Sequence, residues 1–241
     1  MNTQIAIDQL DQLKLKGMSR AYQAVLSMPV QDQPSINQFM AHLAEAELSY
    51  RNTQKTEMLF KLSKLRYDAI LENVHCNEKR NLSKEKLMMI ADCSFINRAE
   101  NLLITGSTGC GKSFLACAIG RQACNFGYKT LYMGMNRLLE KISVSKVDGT
   151  YVKLLDQMER TTLIILDDFG LHPLDAISRL AILQILEDRY GKKSIIITSQ
   201  LPVPKWYEYI GDSTIADAIM DRLSVNAHHF ELKGESLRKK K

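Results

Sequence analysis

The sequence predicts a three-layer α/β sandwich built on a parallel sheet and preceded by a small all-helical region. Three observations carry that expectation. From residue 101 onward, short apolar runs alternate with helical patterns. A full phosphate-loop motif, Gly106-Ser-Thr-Gly-Cys-Gly111-Lys112-Ser113, sits between the first apolar run and the first such helix. Before residue 101 the apolar residues recur at helical spacing, with no strand-like alternation. Strand–helix alternation produces parallel strands with helices on both faces, because each return to the same sheet edge needs a crossover.

The first hundred residues read as helices. Leu10, Leu13, Met18, Ala21, Tyr22 and Val25 form one apolar stripe, closed off by Met28-Pro29 and Gln33-Pro34. Ser35 suits the N-cap of a second helix carrying Ile36, Phe39, Met40, Leu43 and Ala44, whose pattern runs on through Met58, Leu59, Leu62 and Leu65. A third short helix is expected near Ser83. Strands are predicted at Leu102–Thr105, Thr130–Met133, Leu163–Leu166, Ser194–Thr198 and Ala227–Leu232, and helical patterns at about 112–126, 136–158 (interrupted near Asp148-Gly149), 176–189 and 213–223. The expected organisation is a helical N-terminal domain over 1–66, a linker and lead-in helix over 67–95, and the α/β domain that holds the phosphate loop over 96–241.

Composition narrows the class. A charged fraction of 24% with 45% hydrophobic residues describes an ordinary globular chain with ample core material. No apolar run is long enough to span a bilayer, and the first residues lack the basic and apolar regions of a signal peptide, so the expected compartment is the cytoplasm. Five cysteines without a C-x-x-C pair argue against disulfides or zinc; Cys117 and Cys124, one heptad apart, are expected on the buried side of a helix. Charge is unevenly spread. Residues 1–50 hold three basic and five acidic side chains (−2), whereas residues 51–86 hold nine and five (+4). The last nine residues hold five basic and one acidic (+4). The face carrying Arg51, Lys55, Lys61, Lys64 and Arg66 suits a polyanion, or is a solvated helix face.

The phosphate loop carries the sharpest chemistry. Gly106, Gly109 and Gly111 let the backbone N–H groups of Ser107, Thr108, Cys110 and the first helical residues through Phe114 turn toward phosphates, and the helix N-terminus adds partial positive charge. Lys112 is placed to reach the β- and γ-phosphates of ATP, and the Ser113 hydroxyl to ligate Mg²⁺. The apolar stretch Thr162–Leu166 ends in Asp167-Asp168, which a parallel sheet sets at its C-terminal edge beside the loop. Asp167 is expected to hold Mg²⁺ and Asp168 to orient or deprotonate the attacking water; the bland alternative is a surface cap. Gln200, ending the next strand, is a candidate γ-phosphate sensor or simply a turn residue before Pro202.

Together these residues resemble the AAA+ ATPases, in the branch of bacterial helicase loaders and replication initiators, and within it the IstB-type helper ATPases of insertion sequences. The likeness is carried by Ala99-Glu-Asn-Leu-Leu-Ile, Leu166-Asp-Asp-Phe-Gly-Leu171, Ile196-Ile-Thr-Ser-Gln-Leu-Pro202, Ile215-Ala-Asp-Ala-Ile-Met-Asp-Arg-Leu223 and Gly234-Glu-Ser-Leu-Arg238. More loosely, Glu45-Ala-Glu-Leu-Ser-Tyr-Arg51 joins them. The resemblance implies that Arg222 is an arginine finger reaching a neighbouring subunit's nucleotide and that Arg238 is a second sensor within the same subunit. The phosphate loop departs from the family's usual look at Ser107, Thr108 and Cys110, and 67–76 lacks the expected linker pattern. Phe95, Ile96 and Asn97 are candidates for the adenine edge. The resemblance further implies an ATP- and Mg²⁺-dependent homo-oligomer that assembles on double-stranded DNA of any sequence and serves a transposase. A helicase loader acting on single strands and a metabolite kinase are the rival readings.

Overall fold

A computed structural model describes residues 3–237. Two compact units divide the chain, residues 1–58 and 59–241.

The first unit is helical. Helices α1 (Thr3–Gln12), α2 (Lys16–Leu26) and the long α3 (Ile36–Ser63, whose last turn belongs to the second unit) make it up. The single apolar stripe expected over Leu10–Val25 is in fact two helices. Lys14 adopts φ 60°, and the Leu15 N–H reaches back to the Leu10 carbonyl (2.8 Å), a Schellman-type ending that stops α1. Conversely the second pattern is one unbroken helix of 28 residues, opened by Ser35, whose hydroxyl donates to Gln38 Oε1 (2.8 Å). Helix α2 has no side-chain cap of its own. Its first turn is capped remotely by Glu47 of α3, which accepts the N–H groups of Gly17 (2.7 Å) and Met18 (3.2 Å) and pairs with Arg51 (2.7 Å). The helices cross so closely at Gly17 that a Cβ there would lie 2.5 Å from the Ala46 carbonyl oxygen.

Burial pushes the Glu47 carboxyl up, but Arg51 and the two N–H groups outweigh it and hold the carboxyl below its ordinary range. A depressed acid stabilises the fold above its unfolded pKa of about 4.3, and that contribution is lost as pH falls through the folded value. Acidification below about pH 4 is therefore expected to lower the protection of the amides over residues 16–26, read as the exchange rate relative to the intrinsic rate at each pH. Glu47→Gln should cost about 1 kcal/mol, as a lost helix cap does, and remove that pH dependence. Exchange that stays equally slow in the variant at neutral pH would remove the capping role.

In the second unit the order is α4 (Lys84–Ala91), α5 (Ser94–Asn97), β1 (Asn101–Gly106), α6 (Lys112–Asn125), β2 (Thr130–Gly134), α7 (Met135–Val147) and α8 (Tyr151–Arg160). Next come β3 (Leu163–Phe169), α9 (Ala176–Arg189), β4 (Ser194–Ser199), α10 (Trp206–Ile210), α11 (Ser213–Ser224) and β5 (Ala227–Leu232). The five strands form one parallel sheet in the order β2-β3-β4-β1-β5. Its alternating side chains fill two cores, as expected of parallel strands buried on both faces. Leu103, Leu131, Met133, Ile164, Leu166, Ile195 and Ile197 meet residues of α7 to α11 on one side. Leu102, Ile104, Leu163, Ile165, Ile196 and Phe230 meet α4, α5 and α6 on the other. Cys117 and Cys124 are fully buried. No helix among the described residues is long and apolar enough to cross a membrane.

Candidate nucleotide-binding site

The site is built at the C-terminal edge of the sheet. There β1 ends at Gly106 and the chain turns through residues 107–111 into α6. Gly111, the N-cap of α6, sits at φ 92° and offers no side chain to that helix's first N–H groups. Those groups have no partner within the helix, so the loop presents donors and a positive helix end together. Gly109 is the tightest point: its φ of +81° suits glycine, and a Cβ would lie 2.1 Å from Ser236 Oγ. Lys112 is 6% exposed and donates from Nζ to the Ser107 carbonyl at 2.9 Å, which folds the ammonium inside the loop.

Beside the loop lies Asp167, fully buried. Its Oδ1 accepts from Ser113 Oγ (2.8 Å) and from the Thr198 hydroxyl, and its Oδ2 accepts from the Tyr132 hydroxyl. Arg66 Nη1 stands 3.8 Å from Oδ2. These donors come from α6, β4 and β2, so the strand register that sets Gly134 beside Asp167 also brings Tyr132 within reach. Burial and then the Asp167 carboxylate push the Tyr132 phenol well above its ordinary range, keeping it a donor. The Arg66 guanidinium is raised too, first through its hydrogen bond with Tyr132.

Asp168 follows a different geometry. Regular pleating would send adjacent residues to opposite faces of the sheet. Here the β3–β4 ladder is irregular between Leu166 and Phe169, and Asp168 adopts φ 64°, a left-handed conformation that is unfavourable for most residues. Its N–H donates to Thr198 Oγ1 (3.1 Å). The kink lets Asp167 face Ser113 while Asp168 lines the same cavity as Lys112. Gln200 lines it as well and accepts from Thr108 Oγ1 at 2.7 Å.

This cavity, of about 470 Å³, is bounded by the phosphate loop and the start of α6, by Asp168, Leu171 and Gln200, and by Arg66, Tyr67, Asn73, Val74, His75 and Arg80. Its size and mixed lining suit a nucleotide. Phe114, at the loop's end, faces the Tyr67 ring at 6.4 Å. Ser113 and Asp167 supply adjacent hydroxyl and carboxylate oxygens, the ligand chemistry that Mg²⁺ accepts alongside substrate phosphates. Residues of the C-terminal segment close the loop side. Leu237 lines the cavity and its N–H donates to the Gly109 carbonyl at 3.0 Å. Arg238, the second-sensor candidate, lies outside the described residues.

Two expectations are corrected. The adenine-edge candidates do not reach the cavity. Phe95 and Ile96 are buried in the core beneath α6, because α5 turns them toward the sheet, and Asn97 accepts from the Tyr128 hydroxyl at 2.9 Å. Asn73, Val74 and His75 line the cavity, as none of those three does. Arg66, counted with the basic face, stands at the site's rim beside Asp167. Arg222 is not gathered into the cavity. It lies in the last turn of α11 near the N-terminal edge of the sheet, pairing with Glu187 (2.9 Å) and standing 3.8 Å from Asp221. Asn101, the first residue of β1, donates to its carbonyl (3.1 Å).

Comparison with known proteins agrees with this construction. The family model described as "IstB-like ATP binding protein" matches residues 8–241. The chain is 41% identical to the insertion sequence ATP-binding protein y4pL of Sinorhizobium fredii (strain NBRC 101917 / NGR234), over 97% of this chain and 95% of that one. It is 38% identical to the ATP-binding protein of insertion sequence IS1162 from Pseudomonas fluorescens, over 84% and 88%. Among solved structures, the DnaC helicase loader superposes with a TM-score of 0.57 at 22% identity, covering 70% of this chain and 99% of that one, a likeness of fold. A phosphate loop closing on a buried aspartate at the edge of a 2-3-4-1-5 parallel sheet, matched along nearly the whole chain by one family, makes this protein a member of the IstB-like ATP-binding proteins and an ATPase with the AAA+ fold.

Proposed function

We propose that the chain is the ATP-dependent helper of an insertion sequence: ATP-bound subunits assemble on double-stranded DNA with little regard to sequence, and the assembly serves a transposase. The observation that carries this reading is the split between the site and Arg222. The phosphate loop, Asp168 and Gln200 meet around one cavity, with Asp167 buried behind Ser113, while the candidate finger lies at the other edge of the sheet. A guanidinium so placed serves a neighbour's nucleotide better than its own, which makes ATP a joint between subunits.

In that reading the loop N–H groups and Lys112 bind the phosphates, and the Asp168 carboxylate orients the attacking water and takes its proton. Gln200, held by Thr108, contacts the water or the terminal phosphate. Ser113 and Asp167 would hold Mg²⁺, which when bound offsets phosphate charge. Arg222 from the adjacent subunit neutralises charge spreading over the transferred group, and Arg238 contacts the phosphates from within. The helical unit, with Arg51 and Lys55, and the basic side chains Lys61 and Lys64 touch DNA phosphates. Such contacts position without reading sequence and weaken steeply with salt. The cytoplasm is where such a protein meets its DNA.

The test is binding to labelled duplex and to single-stranded DNA, each with ATP and Mg²⁺, with ADP, and without nucleotide. Large ATP-dependent complexes on duplex of arbitrary sequence are expected, falling away between roughly 50 and 200 mM salt. Preference for single strands would replace this reading with a helicase loader, and indifference to DNA would revive the metabolite kinase.

A further inference from the structure

Arg80 is a buried cation that the fold holds on backbone carbonyls at the nucleotide cavity. It ends a short 3₁₀ turn, Glu78–Arg80, which is opened by Asn77 accepting the Arg80 N–H (2.9 Å) and closed by Asn81 at φ 55°. It is 8% exposed, and among the described residues no carboxylate lies within ion-pair distance of it. A buried charge without a counter-charge is costly and is kept where something else compensates it. The guanidinium lines the nucleotide cavity and spends two donors on backbone carbonyls. Nη1 donates to His75 of the cavity wall (2.5 Å), and Nη2 donates to Cys110 within the phosphate loop (2.6 Å). It packs so closely on the loop that a Cβ at Gly111 would lie 2.8 Å from Nη2.

The bond to Cys110 has a geometric consequence. A planar trans peptide holds its C=O and the following N–H on opposite sides. Fixing the Cys110 carbonyl therefore fixes the direction of the Gly111 N–H, one of the donors that the phosphate loop turns toward its ligand. Arg80 also reaches the closing segment: its own carbonyl accepts the Lys233 N–H at 3.1 Å, and Asn81 Nδ2 donates to the Glu231 carbonyl at 3.0 Å. One residue thus joins the cavity wall, the phosphate loop and the segment after β5.

We propose that Arg80 is a positioning residue of the nucleotide site. Its forked guanidinium holds the phosphate loop in the shape that accepts a nucleotide's phosphates, and the bound phosphates supply the counter-charge that the buried cation lacks. This inference rests on the ATP-binding reading, and its test separates the two.

The experiment titrates fluorescent ADP and ATP, with Mg²⁺, into the full chain, Arg80→Lys, Arg80→Gln and Lys112→Ala, alongside thermal unfolding with and without nucleotide. Lysine keeps the charge and cannot bridge two carbonyls as a planar fork does. Arg80→Lys is expected to unfold near the wild-type temperature without nucleotide, yet to bind at least about tenfold more weakly and to lose most of the nucleotide-induced rise in midpoint. Arg80→Gln should bind more weakly still. Wild-type chain that binds no nucleotide overturns the ATP-binding reading itself. Wild-type binding with Arg80→Lys within about twofold of it overturns this inference alone, because the fork is then dispensable. If Arg80→Gln fails to fold, Arg80→Lys decides. If both unfold without nucleotide, Arg80 is a residue of the fold and not of the site, and the proposal is wrong.

Discussion

Lys112→Ala is expected to weaken ATP binding by at least about thirtyfold and to abolish ATP-dependent assembly on duplex DNA with it. Truncating one member of a buried, hydrogen-bonded charge pair costs about 2–5 kcal/mol, which spans roughly thirtyfold to several thousandfold in affinity. With phosphates bound Lys112 would be such a member, its ammonium being 6% exposed and folded into the loop. The fold itself should survive, because the ammonium's contact within the protein is a single bond to the Ser107 carbonyl, in a loop with exposed neighbours. Nucleotide titration and DNA mobility shift, run on the same preparation, read both effects. Assembly that persists after ATP binding is lost would show that nucleotide does not join the subunits.

Arg222→Ala is expected to leave nucleotide affinity within about twofold and to cut turnover by about 10³, the effect of losing an arginine finger. Little stability should go with it. The Glu187 pair is partly exposed, 27% on the arginine side and 46% on the glutamate side, and such pairs contribute about 0.2–1 kcal/mol. The decisive measurement mixes two inactive variants. Lys112→Ala subunits carry a finger but stay largely empty at ATP concentrations that fill the wild type, and Arg222→Ala subunits bind ATP but lack the finger. If the finger acts between subunits, the mixture regains turnover that neither variant has alone. A mixture no better than the sum of its parts, or an Arg222→Ala monomer with normal turnover, would remove the finger role.

How much of the fold and site was legible depended on how local each signal is. The phosphate loop is one contiguous motif, and the strand before it and helix after it announce themselves within ten residues on either side. The five strands read clearly because a parallel strand buried on both faces is a plain apolar run. The surroundings of Asp167 were not readable. Tyr132 and Thr198 reach it from two other strands, and which residues stand abreast is a matter of register, invisible until the sheet is assembled. Tyr132 passes in sequence for one more apolar strand residue. Asp168 was singled out for its chemistry, but the left-handed turn that aims it has no signature in Leu-Asp-Asp-Phe. The adenine wall failed for a related reason: Phe95 and Ile96 are as apolar as a nucleobase pocket requires, and a core requires the same. Arg80 gave no signal, since a lone arginine in a loop reads as solvated. The break at Lys14 escaped because the left-handed region is normally announced by glycine or asparagine.

The sheet order bears on how the protein comes into being. Strand β1, which carries the phosphate loop, has as its neighbours β4 and β5, both from the far half of the chain. During synthesis its apolar run Leu102–Ile104 has no strand to pair with until residue 194 and beyond has emerged, and its second flank stays open until 227–232 arrives. Contacts this distant in sequence form slowly and leave a naked edge meanwhile, the kind of surface that invites aggregation. The same delay means that the loop's clasp, with Leu237 on Gly109 and Lys233 on Arg80, is the last piece set in place. A nascent chain on the ribosome therefore lacks a finished nucleotide site.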